Sequence, residues 1–188
     1  MRLKIWCCIK LALYYKSSYY FSTTVPTPEP DESGFYREMH ESICGGFKGN
    51  TAIDHIILEI NSSKHAYNIS IEELLTHATR SVLEATSTAT EFNNYIKYLG
   101  PLFANYAKTP ILHMVILNEI EVWFVEKDQV GDPMLQKVLQ ILYNLDILEE
   151  AAILKWHSKT IPEIKSSIQA FIKWLQEADE ESSEEESD

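Results

Sequence analysis

The stretch SIEELLTHATRSV, residues 70–82, decides the fold class. Its apolar residues Ile71, Leu74, Leu75, Ala78 and Val82 fall at spacings of three and four, which puts them on one face of an α-helix and excludes a strand, whose faces alternate every two residues. The stretch also carries its own start signal. Ser70 followed by Glu73 has the spacing of a capping box, in which the hydroxyl and the carboxylate each satisfy an amide that the first turn leaves without a partner.

The same period runs outward in both directions. Ile53, Ile56, Ile57 and Ile60 form a stripe upstream; Leu112, Val115, Ile116, Ile120 and Trp123, then Leu135, Val138, Leu139 and Leu142, then Ile164, Ile168, Phe171 and Leu175 continue it downstream. Thr109-Pro110 and Asp132-Pro133 each place a capping residue before a proline at the first helical position, Asp146 and Glu149 have cap spacing, and Pro162 can open the last helix. Breaks are expected at GGFKGN (45–50), Gly100-Pro101, QVGDP (129–133) and Ser158 to Pro162. No convincing strand pattern is found. The expectation is an all-α domain of seven or eight helices of about 10 to 17 residues, whose short connections favour an array of antiparallel hairpins.

The 188 residues suit one domain, and a hydrophobic content of 45% excludes disorder throughout. The net charge of −12 makes nucleic acid an unsuitable partner and favours a basic protein segment. The charge is uneven. Residues 1–28 hold Arg2, Lys4, Lys10 and Lys16 and no acid, whereas residues 177–188 (EADEESSEEESD) hold eight acids and no base. The front resembles a signal peptide superficially, but Lys10 splits the apolar run, no small-residue cleavage site follows, and the run is too short and charged to span a bilayer. Residues 1–33, including the proline-rich VPTPEPDES, are read as an extension and linker, 34–178 as the folded domain and 179–188 as a disordered acidic tail. A membrane-tethered domain is a reading that rests on residues 1–21 alone.

Several chemistries are absent from the pattern. Cys7, Cys8 and Cys44 make neither a disulfide framework nor a zinc site, and a reducing intracellular setting follows as the default. GGFKGN lacks the spacing and the Ser or Thr of a phosphate loop. Histidines 40, 55, 65, 77, 113 and 157 form no HExxH pair, and no GxSxG elbow occurs. No metal and no cofactor are expected.

Two features carry potential function. Glu59, in the helix of HIILEINSSKHAYNIS (55–70) with Asn61 close by, sits about 100° from Ile60 and about 160° from Ile57 around the axis, so it projects away from the buried stripe. An ordinary solvated glutamate would do the same. The second feature is a pair of aromatic-acidic boxes, LYNLDILEEAAILKW (142–156) and FIKWLQEADEESSEEESD (171–188). Their acids can steer a lysine-rich segment, although Trp156 and Trp174 read as core residues on their own.

These boxes resemble the carboxy-terminal domain shared by the epsilon subunit of eukaryotic translation initiation factor 2B, by initiation factor five and by the basic-zipper-and-tryptophan-domain regulators. LEINSSKHAYNISIEELL (58–75) points within that group to epsilon, and the resemblance runs from about residue 35 to 188. It implies a HEAT-like stack of helical hairpins and guanine-nucleotide exchange on initiation factor 2, with no covalent chemistry, in the cytoplasm. The implied partners are the gamma subunit's G domain and a lysine-rich segment of the beta subunit. The exchange-critical glutamate of the family corresponds to Glu59, preceded by Leu58. The beta-binding boxes correspond to Tyr143, Glu149, Glu150 and Trp156, then Trp174, Glu177, Asp179, Glu180 and Glu181, with Glu184, Glu185 and Glu186 continuing the second box. A full epsilon subunit carries a nucleotidyltransferase-like domain and a left-handed β-helix upstream, neither of which fits in 34 residues. The expectation is therefore the catalytic end alone. Other subunits of initiation factor 2B are admitted as partners, although the parts by which epsilon joins them are outside this chain. The alternative is a module that captures the beta subunit without exchange, as in initiation factor five. Residues 86–100 (TSTATEFNNYIKYLG) match no family pattern and their role stays open.

Overall fold

Buried isoleucines and leucines on every predicted stripe set the architecture: Ile56, Ile60, Leu74, Leu75, Val82, Ile116, Ile120, Leu135, Val138, Leu139, Ile164, Ile168, Phe171 and Leu175 all lie in one continuous core. The computed structural model describes residues 32–184, and their side chains from 33 to 177. The expected extension over residues 1–31, the side chains of Asp179, Glu180, Glu181 and Glu184, and residues Glu185 and Glu186 lie outside the described residues. Among those described there are nine helices and no strand: α1 (Glu32–Lys48), α2 (Ile53–Ala66), α3 (Ile71–Ala85), α4 (Ala89–Tyr106), α5 (Pro110–Glu126), α6 (Pro133–Asn144), α7 (Glu150–Lys159), α8 (Pro162–Ser167) and α9 (Gln169–Glu184).

The packing is that of a two-layer array. Helices α1, α3, α5 and α7 contact one another in series, α2, α4, α6 and α8 do the same, and α1–α2 and α3–α4 pack as hairpins across the layers. Helix α9 closes the end against α8. This is the hairpin stack expected from the short links. No helix among the described residues is long and apolar enough to cross a membrane.

Local chemistry explains the helix starts. The Ser70–Glu73 capping box is formed at both bonds, 3.1 and 2.7 Å. Thr88, Thr109 and Asp132 cap α4, α5 and α6 through their side chains. The helix ends share a device that the sequence pattern does not announce. Asn50, Asn68, Asp128 and Asp146 all adopt positive φ, between 51° and 56°, directly after α1, α2, α5 and α6. In each case the next amide bonds back across the last turn: Thr51 to Gly46, Ile69 to Lys64, Gln129 to Phe124 and Ile147 to Leu142. Asparagine and aspartate tolerate this left-handed turn better than other non-glycine residues, and the buried Ile69 and Ile147 that follow tie the stop to the core.

Some expectations are corrected. Asp146 is a helix stop, and α7 begins after Glu149 with no side-chain cap. Gly45 and Gly46 lie inside α1, so the break falls at residues 49–52. Gly46 is there for space: a Cβ on it would stand 2.7 Å from Ile56 Cδ1 and 2.8 Å from the Tyr98 hydroxyl, where α2 and α4 press on α1. Gly100 and Pro101 lie inside α4, because Leu99, Leu102 and Phe103 around them are all buried and their packing outweighs the local cost of proline. Separately, the backbone of α9 is helical to Glu184.

One polar network crosses the first layer. Arg80 of α3 donates to Glu119 at 2.5 Å and to Glu126 at 3.0 Å, both on α5. Tyr36 of α1 donates to Glu84 of α3 beside it. Burial pushes the Glu119 carboxyl up to about 7 from an ordinary 4.5, against the opposing pull of Arg80. The folded carboxyl thus holds its proton more tightly than the unfolded one. The stability that goes with it is complete below about pH 4.5 and is lost as the pH rises through about 7. Arg80→Ala, which leaves Glu119 buried without its cation, is expected to cost about 3–5 kcal/mol. Glu119→Gln is expected to flatten the fall in unfolding free energy between about pH 5 and pH 8. Urea unfolding across that range checks both, and a variant curve parallel to the wild type would count against the assignment.

Candidate functional site

Helix α2 exposes an edge that its sequence orients. Ile56, Ile57 and Ile60 are buried, which fixes the rotation of the helix and turns Leu58 and Glu59 outward. Leu58 is 64% exposed. Glu59 makes no hydrogen bond or ion pair among the described residues. It faces an open groove between α1 and α2, lined also by Glu38, Glu41, Ser42, Ser62 and Ser63. Its charge reaches Tyr98 of α4, whose hydroxyl is pushed upward by burial and further by the Glu59 carboxylate.

Glu38 is not free within this groove. Its two oxygens accept from Ser63 Oγ at 2.9 Å and from Tyr67 Oη at 2.6 Å. Asn61 accepts from the Tyr106 hydroxyl at the end of α4, and the Tyr98 hydroxyl donates to the Thr51 carbonyl at 2.9 Å. Glu38, Glu41, Tyr98 and Tyr106 escape a reading of the sequence because they come from α1 and α4, eighteen to forty-seven residues away. No local spacing links them to Glu59.

The two aromatic-acidic boxes separate into buried and exposed parts. Trp156 is 1% exposed and belongs to the core; its indole N–H donates to Glu121 at 2.8 Å, so it is not on the surface that a partner would meet. Trp174 is 48% exposed. It stacks on Phe171 with ring centres 6.0 Å apart and meets Tyr143 edge-on at 5.9 Å. Tyr143 and Trp174, from the two boxes, are therefore brought together by α6 and α9. Glu177 pairs with Lys173 at 3.4 Å, both exposed. Glu149 is exposed, 3.9 Å from Nδ1 of the buried His113, too long for a hydrogen bond; the other ring nitrogen lies 3.0 Å from the Ala107 carbonyl. Glu150 is half-buried at the start of α7. Leu58 and Glu59 sit on α2 in the opposite half of the array from this aromatic cluster, which joins α6 and α9. Among the described residues no group of three or more His, Cys, Asp or Glu side chains is placed to hold a metal ion.

Comparison with known proteins finds a family match in the second half of the chain. Residues 112–185 match the W2 family, described as eIF4-gamma/eIF5/eIF2-epsilon. This stretch is W2-like. It is similar to translation initiation factor eIF2B subunit epsilon of Dictyostelium discoideum, with 26% identity over 82% of this chain and 24% of that protein. It is similar to the same subunit of Schizosaccharomyces pombe, with 27% identity over 88% of the chain and 26% of that protein. It also resembles human eIF5-mimic protein 1, with 28% identity over 48% of the chain and 23% of that protein. The chain thus spans about a quarter of the length of the curated relatives it matches. Among solved structures, the C-terminal domain of translation initiation factor 5 superposes with a TM-score of 0.62 at 22% identity, over 88% of this chain and 100% of that domain. The fold is accordingly HEAT-like and all-α, as expected, and the W2-like stretch is of the translation-initiation-factor type.

The burial difference within the W2-like stretch has a direct test. Trp156→Ala is expected to cost about 3–5 kcal/mol, as deletion of a large core side chain does, and Trp174→Ala about 1 kcal/mol, the worth of its ring contacts. Chemical denaturation of the two variants checks this, and equal losses would contradict the placement of Trp174 at the surface.

Proposed function

We propose that the chain is a guanine-nucleotide exchange domain acting on translation initiation factor 2, with Leu58 and Glu59 as its exchange site and the W2 boxes as its docking surface. The observation that carries the reading is the edge of α2: a largely exposed leucine beside a carboxylate without a hydrogen-bonded partner, both held outward by three buried isoleucines. Such a pair offers a partner an apolar contact and a charge side by side. The epsilon-subunit similarities support it, since alignments over 82% and 88% of the chain must include residues 58 and 59 wherever they start.

An exchange factor breaks no covalent bond. It binds the nucleotide-free G protein more tightly than the loaded form, and linkage then weakens GDP by the same factor. In this proposal Leu58 docks in an apolar depression of the gamma subunit. Glu59 repels the phosphates, or competes for the magnesium ion or the lysine that holds them. At the far end Tyr143, Trp174 and Glu177, with Glu149 and Glu150 and the acids Asp179, Glu180, Glu181, Glu184, Glu185 and Glu186, receive the lysine-rich beta-subunit segment. Trp156 acts there only by holding the core beneath. The charge of −12 serves encounter: it steers a basic segment and makes capture sensitive to salt.

The second reading is a binding module without exchange activity. The similarity to eIF5-mimic protein 1 supports it.

GDP release from initiation factor 2 separates the two. The intact chain is expected to accelerate release, and Glu59→Ala to reduce that acceleration about ten-fold or more, in the range of ordinary coupling energies, while leaving capture of the factor unchanged. Normal exchange by Glu59→Ala would remove Glu59 from the site; capture without exchange by the intact chain would establish the second reading. Replacing Glu180, Glu181, Glu184, Glu185 and Glu186 by glutamine is expected to weaken capture and flatten its dependence on salt. A pull-down series between about 50 and 300 mM salt measures it, the span over which screening tightens.

A further inference from the structure

Three buried isoleucines anchor α2, and the last of them is Ile60. No residue from Asn61 to Ala66 is buried, although this half of the helix continues directly from Leu58 and Glu59. Apolar packing therefore fixes the first part of α2 and, through Ile69 beyond its last turn, its end, while the stretch between is held by hydrogen bonds. Tyrosines of α4 bond to this stretch and to the entry of the helix. Tyr106 donates to Asn61, two residues beyond Glu59. Tyr98 donates to the Thr51 carbonyl at 2.9 Å, in the link that leads into α2. Glu38 of α1 completes the clamp from the other side through Ser63 and Tyr67.

We propose that Tyr98 and Tyr106 are positioning residues: one holds the entry to α2 and the other its midpoint, and together they set the direction in which Leu58 and Glu59 face the groove. This gives residues 86–100, which match no motif, a task, since Tyr98 projects from that segment toward α2. The close approach of α1, α2 and α4 at Gly46 puts the Tyr98 hydroxyl at the convergence of the three helices. The charge of Glu59 reaches Tyr98 as well. The consequence for exchange rests on the reading of Glu59 given above; the control of α2 geometry does not.

The test uses the full chain with Tyr98→Phe, Tyr106→Phe and both together, which remove only hydroxyls. Amide hydrogen exchange over residues 58–66 is expected to rise about five-fold for each bond lost, the worth of an ordinary hydrogen bond. The maximal rate of GDP release from initiation factor 2 is expected to fall about three-fold or more, with the half-saturating concentration unchanged. Adding Tyr106→Phe to Glu59→Ala should bring no further loss, because both act through one carboxylate. Wild-type amide exchange in the double tyrosine variant would overturn the proposal, as would a wild-type maximal rate or full additivity with Glu59→Ala. If the intact chain releases no GDP, the exchange reading falls on its own and the amide measurement still decides whether the tyrosines hold α2.

Discussion

A chain built only of helices can hide its apolar side chains in one way: each helix must turn a stripe toward another. Two layers satisfy this with short links, and here α1, α3, α5 and α7 form one layer while α2, α4, α6 and α8 form the other. The rest of the structure follows from the need to reverse direction after each helix. Threonine, serine and aspartate caps start four of the helices, and asparagine or aspartate in a left-handed turn stops four of them. Where the first layer brings charge into the seam, the Arg80 guanidinium answers the Glu119 carboxylate rather than leaving it alone among leucines and isoleucines.

The legible part of this architecture is local. Helix stripes, the Ser70 capping box and the Thr109-Pro110 and Asp132-Pro133 starts are written within four residues of one another, and a reader of the sequence finds them. Gly45, Gly46, Gly100 and Pro101 mislead for the opposite reason. Their local preference for a break is overridden by packing: the close approach of Ile56 and Tyr98 at Gly46, and the burial of Leu99, Leu102 and Phe103 around Gly100 and Pro101. Asp146 misleads because the same residue type serves both helix ends, and only its backbone angle tells which. The outward projection of Glu59 follows from helical periodicity alone. The groove it faces does not, since Glu38 and Glu41 arrive on another helix.

The two candidate surfaces differ in kind. On α2 the exposed chemistry is a single leucine and a single carboxylate on a helix edge held by non-local hydrogen bonds. At the α6–α9 end it is an aromatic cluster, followed in the sequence by a run of acids. The first is small, specific and geometrically defined; the second is large, charged and tolerant of the partner's exact register. A shared core joins them, and Trp156 belongs to it: from within an acidic box it donates back to Glu121 on α5.

The links between helices bear on the energetics of recognition. None of those connecting α1 to α9 exceeds six residues, and most are closed by their own backbone hydrogen bonds. A partner meeting this domain between α1 and α8 has no long loop to order and no segment to fold. The entropy surrendered on association there is that of side chains such as Leu58. Affinity at these faces is then governed by how well two preformed surfaces match, and the ordering cost falls on whatever segment the partner brings.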